Sequence, residues 1–173
     1  MTKLKILDCT LRDGGYYNNW NFSIELINRY LKVMSDIKVD YVEIGFRSKD
    51  KKEFRGACAY TTDEFLSSLK IPKSLKIAVM INGAELIKED NLKKNISSLN
   101  CLFRKSKFSK VKLVRIASHF SELNKVMPVA FKIKTLGYKV AINLMQISDR
   151  TEKEIQHFCN LAKEFKMDVI YFA

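Results

Sequence analysis

The chain has 173 residues, of which 47% are hydrophobic and 29% charged, and its 31 Lys and Arg against 19 Asp and Glu leave a formal charge of +12. This is too apolar for a disordered polypeptide, and with 6 Gly and 2 Pro it is neither collagen-like nor loop-dominated. No run approaches the ~18–20 apolar residues of a membrane-spanning helix, and the first residues lack the apolar stretch of a secretory leader. One domain spanning 1–173, cytoplasmic and without a membrane partner, is therefore expected.

In chain order, short apolar segments rich in Val and Ile predict strands at 4–7, 41–46, 76–81, 112–117, 139–144 and 169–172. Between them, helical periodicity predicts five helices. The first covers 22–37, with Ile24, Ile27, Leu31 and Met34 on one face and Ser23 as its cap. A second opens at 61–64 and carries Phe65, Leu66 and Leu69. A third covers 85–99, broken near Asp90-Asn91. A fourth covers 122–136 and stops at Gly137, its first turn starting at Pro128. The fifth covers 151–165.

Near-continuous apolar strands alternating with helices mean a parallel sheet covered by helices. An open doubly wound sheet and a TIM (β/α)8 barrel both fit this rhythm. No GxGxxG follows the first strand, which weakens the dinucleotide-binding version. A complete barrel has eight strands and roughly 250 residues. Only about six strands and five helices are visible, so the expected architecture is a partial barrel. Its two open edges would need cover from an oligomer or a partner chain.

Cys9, Cys58, Cys101 and Cys159 are too far apart for zinc or redox motifs and are expected as small, buried, reduced thiols. Arg accounts for only 7 of the basic residues. Nucleic-acid readers favour Arg, so nucleic acid is not the expected partner. Of two basic stretches, 49–55 is diluted by acids, and 104–110 reads as a solvated face ahead of a strand.

In parallel β/α folds the chemistry lies at the carboxyl ends of the strands. The end of the first strand packs Asp8, Arg12 and Asp13 into six positions, followed by Gly14-Gly15, which lets a loop turn there. Asp13 offers a hard oxygen donor suited to Mg²⁺ or Mn²⁺. Arg12 offers a permanent cation for a carbonyl or enolate oxygen. A loop salt bridge without chemistry is the plain alternative.

Asp8-Cys9-Thr10-Leu11-Arg12-Asp13-Gly14 resembles the D-x-[ST]-L-R-D-G signature of the DRE-TIM metallolyases. That family includes hydroxymethylglutaryl-CoA lyase, isopropylmalate and homocitrate synthases and 4-hydroxy-2-oxovalerate aldolase. Val42-Glu43-Ile44-Gly45-Phe46 is similar to the family's second strand. Val114-Arg115-Ile116-Ala117-Ser118-His119-Phe120-Ser121-Glu122 is similar to the fourth strand end of the 4-hydroxy-2-oxovalerate aldolase branch. The resemblance implies an aldolase or lyase that makes or breaks a C–C bond beside a 2-oxo acid such as pyruvate, through a metal-stabilised enolate. Arg12 would stabilise the enolate, Asp13 would ligate the divalent metal (Mg²⁺ or Mn²⁺), and Glu43 would orient Arg12. An inward acid also needs a cationic partner on general grounds.

The sequence departs from the family in two places. The H-x-H metal pair of the seventh strand has no counterpart, since the two histidines are His119 and His157. Asp13 alone leaves most of a metal shell to water. These 173 residues are therefore expected to be incompetent alone and to be a truncated form of a chain that continues past Ala173. A non-catalytic partial-barrel module that needs a partner chain is the alternative. Secondly, the branch's His three positions after the metal Asp is here Tyr16, a candidate proton donor or relay, or else part of a lid with Tyr17 and Trp20. His119 and Arg47, at the ends of strands four and two, are candidate substrate contacts, Arg47 through a carboxylate. Gln146, with Asn143 and Met145 at the end of strand five, is a fainter one.

Overall fold

The computed structural model describes residues 4–49 and 54–173, so most of the 49–55 basic stretch lies outside the described residues. The chain divides into two compact units. The first runs to Met80 and includes Ser109–Lys112, and the second comprises Ile81–Phe108 and Leu113–Ala173.

The first unit holds β1 (Leu7–Asp8), α1 (Thr10–Asn18), α2 (Ile24–Asp36), β2 (Tyr41–Phe46), α3 (Asp63–Ser68) and the first five residues of β3 (Lys76–Asn82). β1 pairs in parallel with β2, and β2 with β3. Every residue of β2 is buried, which explains why it is apolar apart from Glu43. The register runs Glu43↔Ala78 but Phe46↔Met80, so β2 carries one extra residue there. Such a bulge re-aims side chains at a strand's end. Gly45 sits inside it, against the Cys58 carbonyl. β1 is shorter and later than the predicted 4–7, because Leu4 and Ile6 are exposed. Ser23 caps α2 by accepting from the Leu26 N–H at 3.2 Å. α2 buries Ile27 and Leu31 completely, worth roughly 1.5–3 kcal/mol each, whereas Ile24 is exposed.

The second unit holds α4 (Gly83–Leu86), α5 (Leu92–Ser98), most of β4 (Val111–Ser118), α6 (Leu123–Thr135), β5 (Lys139–Leu144), α7 (Glu152–Glu164) and β6 (Val169–Phe172). Parallel pairing links β4 to β5 and β5 to β6. The helical pattern at 85–99 is broken as expected, and Asn91 caps the second piece through the Lys94 N–H. Pro128 does not open α6. The helix begins at Leu123, five residues earlier, because Leu123, Val126 and Met127 are buried and hold the upstream turn. Gly137, at φ +96°, lies just past its end. Stretch 104–110 is solvent-facing at Arg104, Lys105, Lys107 and Lys110. Of the cysteines only Cys58 is buried, and Cys101 is exposed, so the expectation of four buried thiols fails for the others. No helix of the described residues is long and apolar enough to cross a membrane.

Candidate active site

The segment after β1 is a helix, not the loop expected from Gly14-Gly15. Asp8 secures its start: Oδ1 accepts the Thr10 N–H at 3.1 Å and Oδ2 the Thr10 hydroxyl at 2.9 Å. The Tyr30 hydroxyl, from α2, donates to the same carboxylate. At the other end Asn19 adopts a left-handed conformation and its N–H returns to the Gly15 carbonyl. Gly15 is there for packing, since a Cβ would lie 2.0 Å from the Trp20 ring, while Gly14 has room for one.

Helical spacing puts Cys9 one turn from Asp13, and Arg12 one turn from Tyr16. Arg12 Nε donates to Glu43 Oε1 at 2.7 Å, and its Nη1 is paired with Asp13. Glu43 is 0% exposed. Burial works against the charge on Arg12, but the Glu43 hydrogen bond and the fields of Glu43 and Asp13 outweigh it and hold the guanidinium above its ordinary value. The Phe46 ring lies 5.8 Å from the Arg12 guanidinium carbon. The structure thus brings together Arg12, Asp13 and Glu43.

Asp13 is half exposed and also accepts from the Cys9 thiol at 3.1 Å. That thiol is raised above its ordinary 9.0, first by burial and then by Asp13. An open recess of about 710 Å³ is lined by Asp8, Cys9, Thr10, Asp13, Tyr16 and Tyr17 among others. Tyr16 is 64% exposed and meets Trp20 edge-on, centroids 4.8 Å apart. Arg12 is not among the residues that line this recess; its guanidinium is paired with Asp13, which is.

The other candidates stand on other elements. Arg47 is 2% exposed; it donates from Nε to the Thr61 carbonyl at 3.1 Å and from Nη2 to Asp63 at 2.9 Å. The carboxylate it grips is therefore in its own chain. His119 is exposed, belongs to the second unit, and sits in a capping box with Glu122, whose carboxylate accepts its backbone N–H at 2.9 Å. Asn143 is 5% exposed with Oδ1 unsatisfied. Tyr30 was missed by sequence reasoning. Its signal was a phenol on a helix facing a strand-end aspartate, which only the fold reveals.

The donors present do not complete a metal site. Both Asp8 oxygens and both Asp13 oxygens already accept hydrogen bonds or an ion pair. Among the described residues no three His, Cys, Asp or Glu come together in a way that could hold a cation. Asp13 offers a half-exposed carboxylate, which by itself would leave most of a metal's shell to water.

A chain of parallel strands alternating with helices, with its polar cluster at the end of the first strand, is of the (β/α)8 barrel class, here as a partial barrel of six strands. No family model matches the chain. It is 25% identical over 177 residues to a probable 2-isopropylmalate synthase of Archaeoglobus fulgidus, and 29% identical over 101 residues to an (R)-citramalate synthase of Sulfolobus acidocaldarius. The first match takes in 98% of this chain and the second 58%, but the chain spans only 32% and 17% of those relatives' lengths. Among solved structures, the N-terminal domain of a candidate aldolase from Bacteroides vulgatus superposes with a TM-score of 0.66 at 27% identity, covering 97% of this chain and 72% of that one. The HMG-CoA lyase of Bacillus subtilis superposes with a TM-score of 0.69 at 10% identity, covering 98% and 57%, and shares the fold. The two curated relatives are named as synthases and the first of the solved structures as a candidate aldolase, while the likeness to the HMG-CoA lyase shows the fold alone.

Proposed function

We propose that this chain carries the enolate-binding part of an aldolase or lyase that makes or breaks a C–C bond next to the carbonyl of a pyruvate-type 2-oxo acid, nearest in kind to the 4-hydroxy-2-oxovalerate aldolase branch. The observation that carries the reading is Arg12 gripped by the buried Glu43 beside Asp13 at the head of α1.

Arg12 takes the 2-oxo oxygen and stabilises the charge that develops on it, because a pre-positioned cation in a partly buried site needs no reorganisation as the enolate forms. Glu43 sets the guanidinium plane through Nε and leaves the distal nitrogens for Asp13 and substrate. Tyr16, one helical turn on and open to solvent, carries the proton to or from the carbon, directly or through a water. Arg47 braces β2 against Asp63 instead of contacting substrate, and His119 is the second unit's substrate contact. Asp13 would supply one carboxylate to a divalent cation, Mg²⁺ or Mn²⁺, which would polarise the 2-oxo group as a Lewis acid; the described residues do not provide the other ligands. The described residues act as one domain, and an oligomer or partner chain completes it.

A second reading, a non-catalytic module that docks a partner chain, draws on the exposed Val169 and Phe172 of β6, which pairs with β5 in its unit.

The test, made on the protein together with the oligomer or partner chain that completes it, is exchange of pyruvate methyl protons in D₂O with Mn²⁺ present, followed by NMR. Exchange above the buffer rate that disappears in Arg12→Ala and in Asp13→Ala is expected. Exchange that survives both substitutions overturns the assignment.

A further inference from the structure

Arg12 is useful to an enolate only if its guanidinium is held in one place. Glu43 and Phe46 hold its side chain, and a different residue holds its backbone. Trp20 Nε1 donates to the Arg12 carbonyl at 2.8 Å, and Trp20 N donates to the Gly15 carbonyl at 2.9 Å. The indole occupies the space a side chain at Gly15 would need. Its ring also meets Phe46 edge-on at 5.5 Å, and Phe46 is the ring beneath the Arg12 guanidinium.

This arrangement is bought with conformational strain. Asn19 and Trp20 are consecutive non-glycine residues in left-handed conformation, at φ 55° and 56°, a state that persists only where surrounding contacts over-determine it. Those contacts come from the chain after β2. Gly56 N donates to the Asn19 carbonyl at 2.8 Å, a Cβ on Gly56 would lie 2.2 Å from the Trp20 carbonyl, and the Arg55 guanidinium stands 5.5 Å from the Trp20 ring centroid.

We propose that Trp20 is the positioning residue for Arg12. Its indole N–H anchors the Arg12 carbonyl, its ring fixes the rotation of α1 at Gly15, and Arg55 and Gly56 clamp it in place. The catalytic meaning of this role rests on the enolate reading above, but the placement of Arg12 does not.

The discriminating variant replaces Trp20 by β-(3-benzothienyl)alanine, which keeps the bicyclic shape and has sulfur where the N–H was. The readout is the solvent-exchange rate of the Arg12 Nε–H in ¹⁵N NMR of the intact chain. Loss of one hydrogen bond should speed that exchange about tenfold while the chain stays folded. Trp20→Phe, which also loses the contact with Gly15, should move it at least as far. If Trp20→Phe unfolds the chain, the isosteric variant decides alone. An Arg12 Nε–H exchange rate unchanged in the folded isosteric variant overturns the proposal. Pyruvate exchange read alongside separates the two ideas: absence of exchange in the unsubstituted protein, with the Arg12 signal still responding to Trp20, overturns the enzymatic reading and upholds the positioning role.

Discussion

Glu43, wholly shielded from solvent, accepts the Arg12 Nε–H at 2.7 Å across the gap between β2 and α1. A carboxylate at such a place would be costly without a cation and hydrogen bonds to hold its charge. The pair therefore ties the first strand's helix to the second strand as well as shaping the site. Glu43→Gln keeps the shape and removes the charge. It should lower the unfolding free energy by about 1.5–3 kcal/mol, the range for hydrogen bonds to charged groups. Urea unfolding checks this, and an unchanged midpoint would mean that the pair contributes nothing net.

Thiol chemistry offers an independent view of the same cluster. Burial and then Asp13 raise the Cys9 thiol, and burial pushes Cys58 up to about 12. The thiolate is the reactive form. With iodoacetamide at pH 8, the exposed Cys101 should modify first, Cys9 slowly, and Cys58 only on unfolding. Asp13→Ala removes both the hydrogen bond and the negative field, so it should speed Cys9 modification several-fold. Peptide mass mapping over time reads this out, and an unchanged Cys9 rate would argue against the Cys9–Asp13 contact.

Gly45 faces the Cys58 carbonyl so closely that a Cβ would lie 1.8 Å from that oxygen. The clash is with backbone, so no side chain can rotate away. Gly45→Ala should cost about 3 kcal/mol or more, at the upper end of overpacking effects. Thermal unfolding of Gly45→Ala beside Gly14→Ala, where the added methyl makes only an ordinary contact with Phe22 at 3.9 Å, gives the comparison. Similar losses at the two positions would contradict it.

In the second unit, Thr151 and Glu154 form a reciprocal cap on α7, with the Thr151 N–H donating to Glu154 at 2.7 Å. That hydrogen bond, joined by the Thr151 hydroxyl, lowers Glu154 below its ordinary 4.5. A depressed carboxyl contributes stability that is present above its unfolded value and lost as pH falls through the folded one. Thr151→Ala should therefore cost about 1 kcal/mol near neutrality, and the deficit should shrink on acidification below 4.5. Denaturation profiles at several pH values test this; a deficit that stays constant into acid would rule out the reciprocal cap.

Much of the frame was legible because it is local. β2, β5 and β6 appear where segments rich in Val, Ile, Leu and aromatic residues place them, and Ser23 and Thr151 announce their helices. That Glu43 needs a cation was legible too, since an acid in a buried strand calls for one, and the family resemblance singled out Arg12 as that cation. What escaped depends on residues far from the window being read. α1 looks like a loop because Gly14-Gly15 and two tyrosines are poor helix formers, yet Asp8, Tyr30 and Trp20 hold it from outside. Arg47 reads as a strand-end grip for substrate until Asp63, 16 residues on, is seen to supply the carboxylate. The β2 bulge is marked in the sequence only by Gly45, whose reason, the Cys58 carbonyl packed against it, lies 13 residues on.

The central claim is that Arg12, as Glu43 holds it, binds the oxygen of a 2-oxo acid enolate. Oxalate, a planar dianion with the enolate's spacing of oxygens, is the direct probe. Calorimetric titration of the protein with oxalate in the presence of Mn²⁺ should show binding that weakens about tenfold or more in Arg12→Ala, the loss of a charge-assisted contact. Equal affinity in the two proteins, or no binding by the unsubstituted one, would contradict the account.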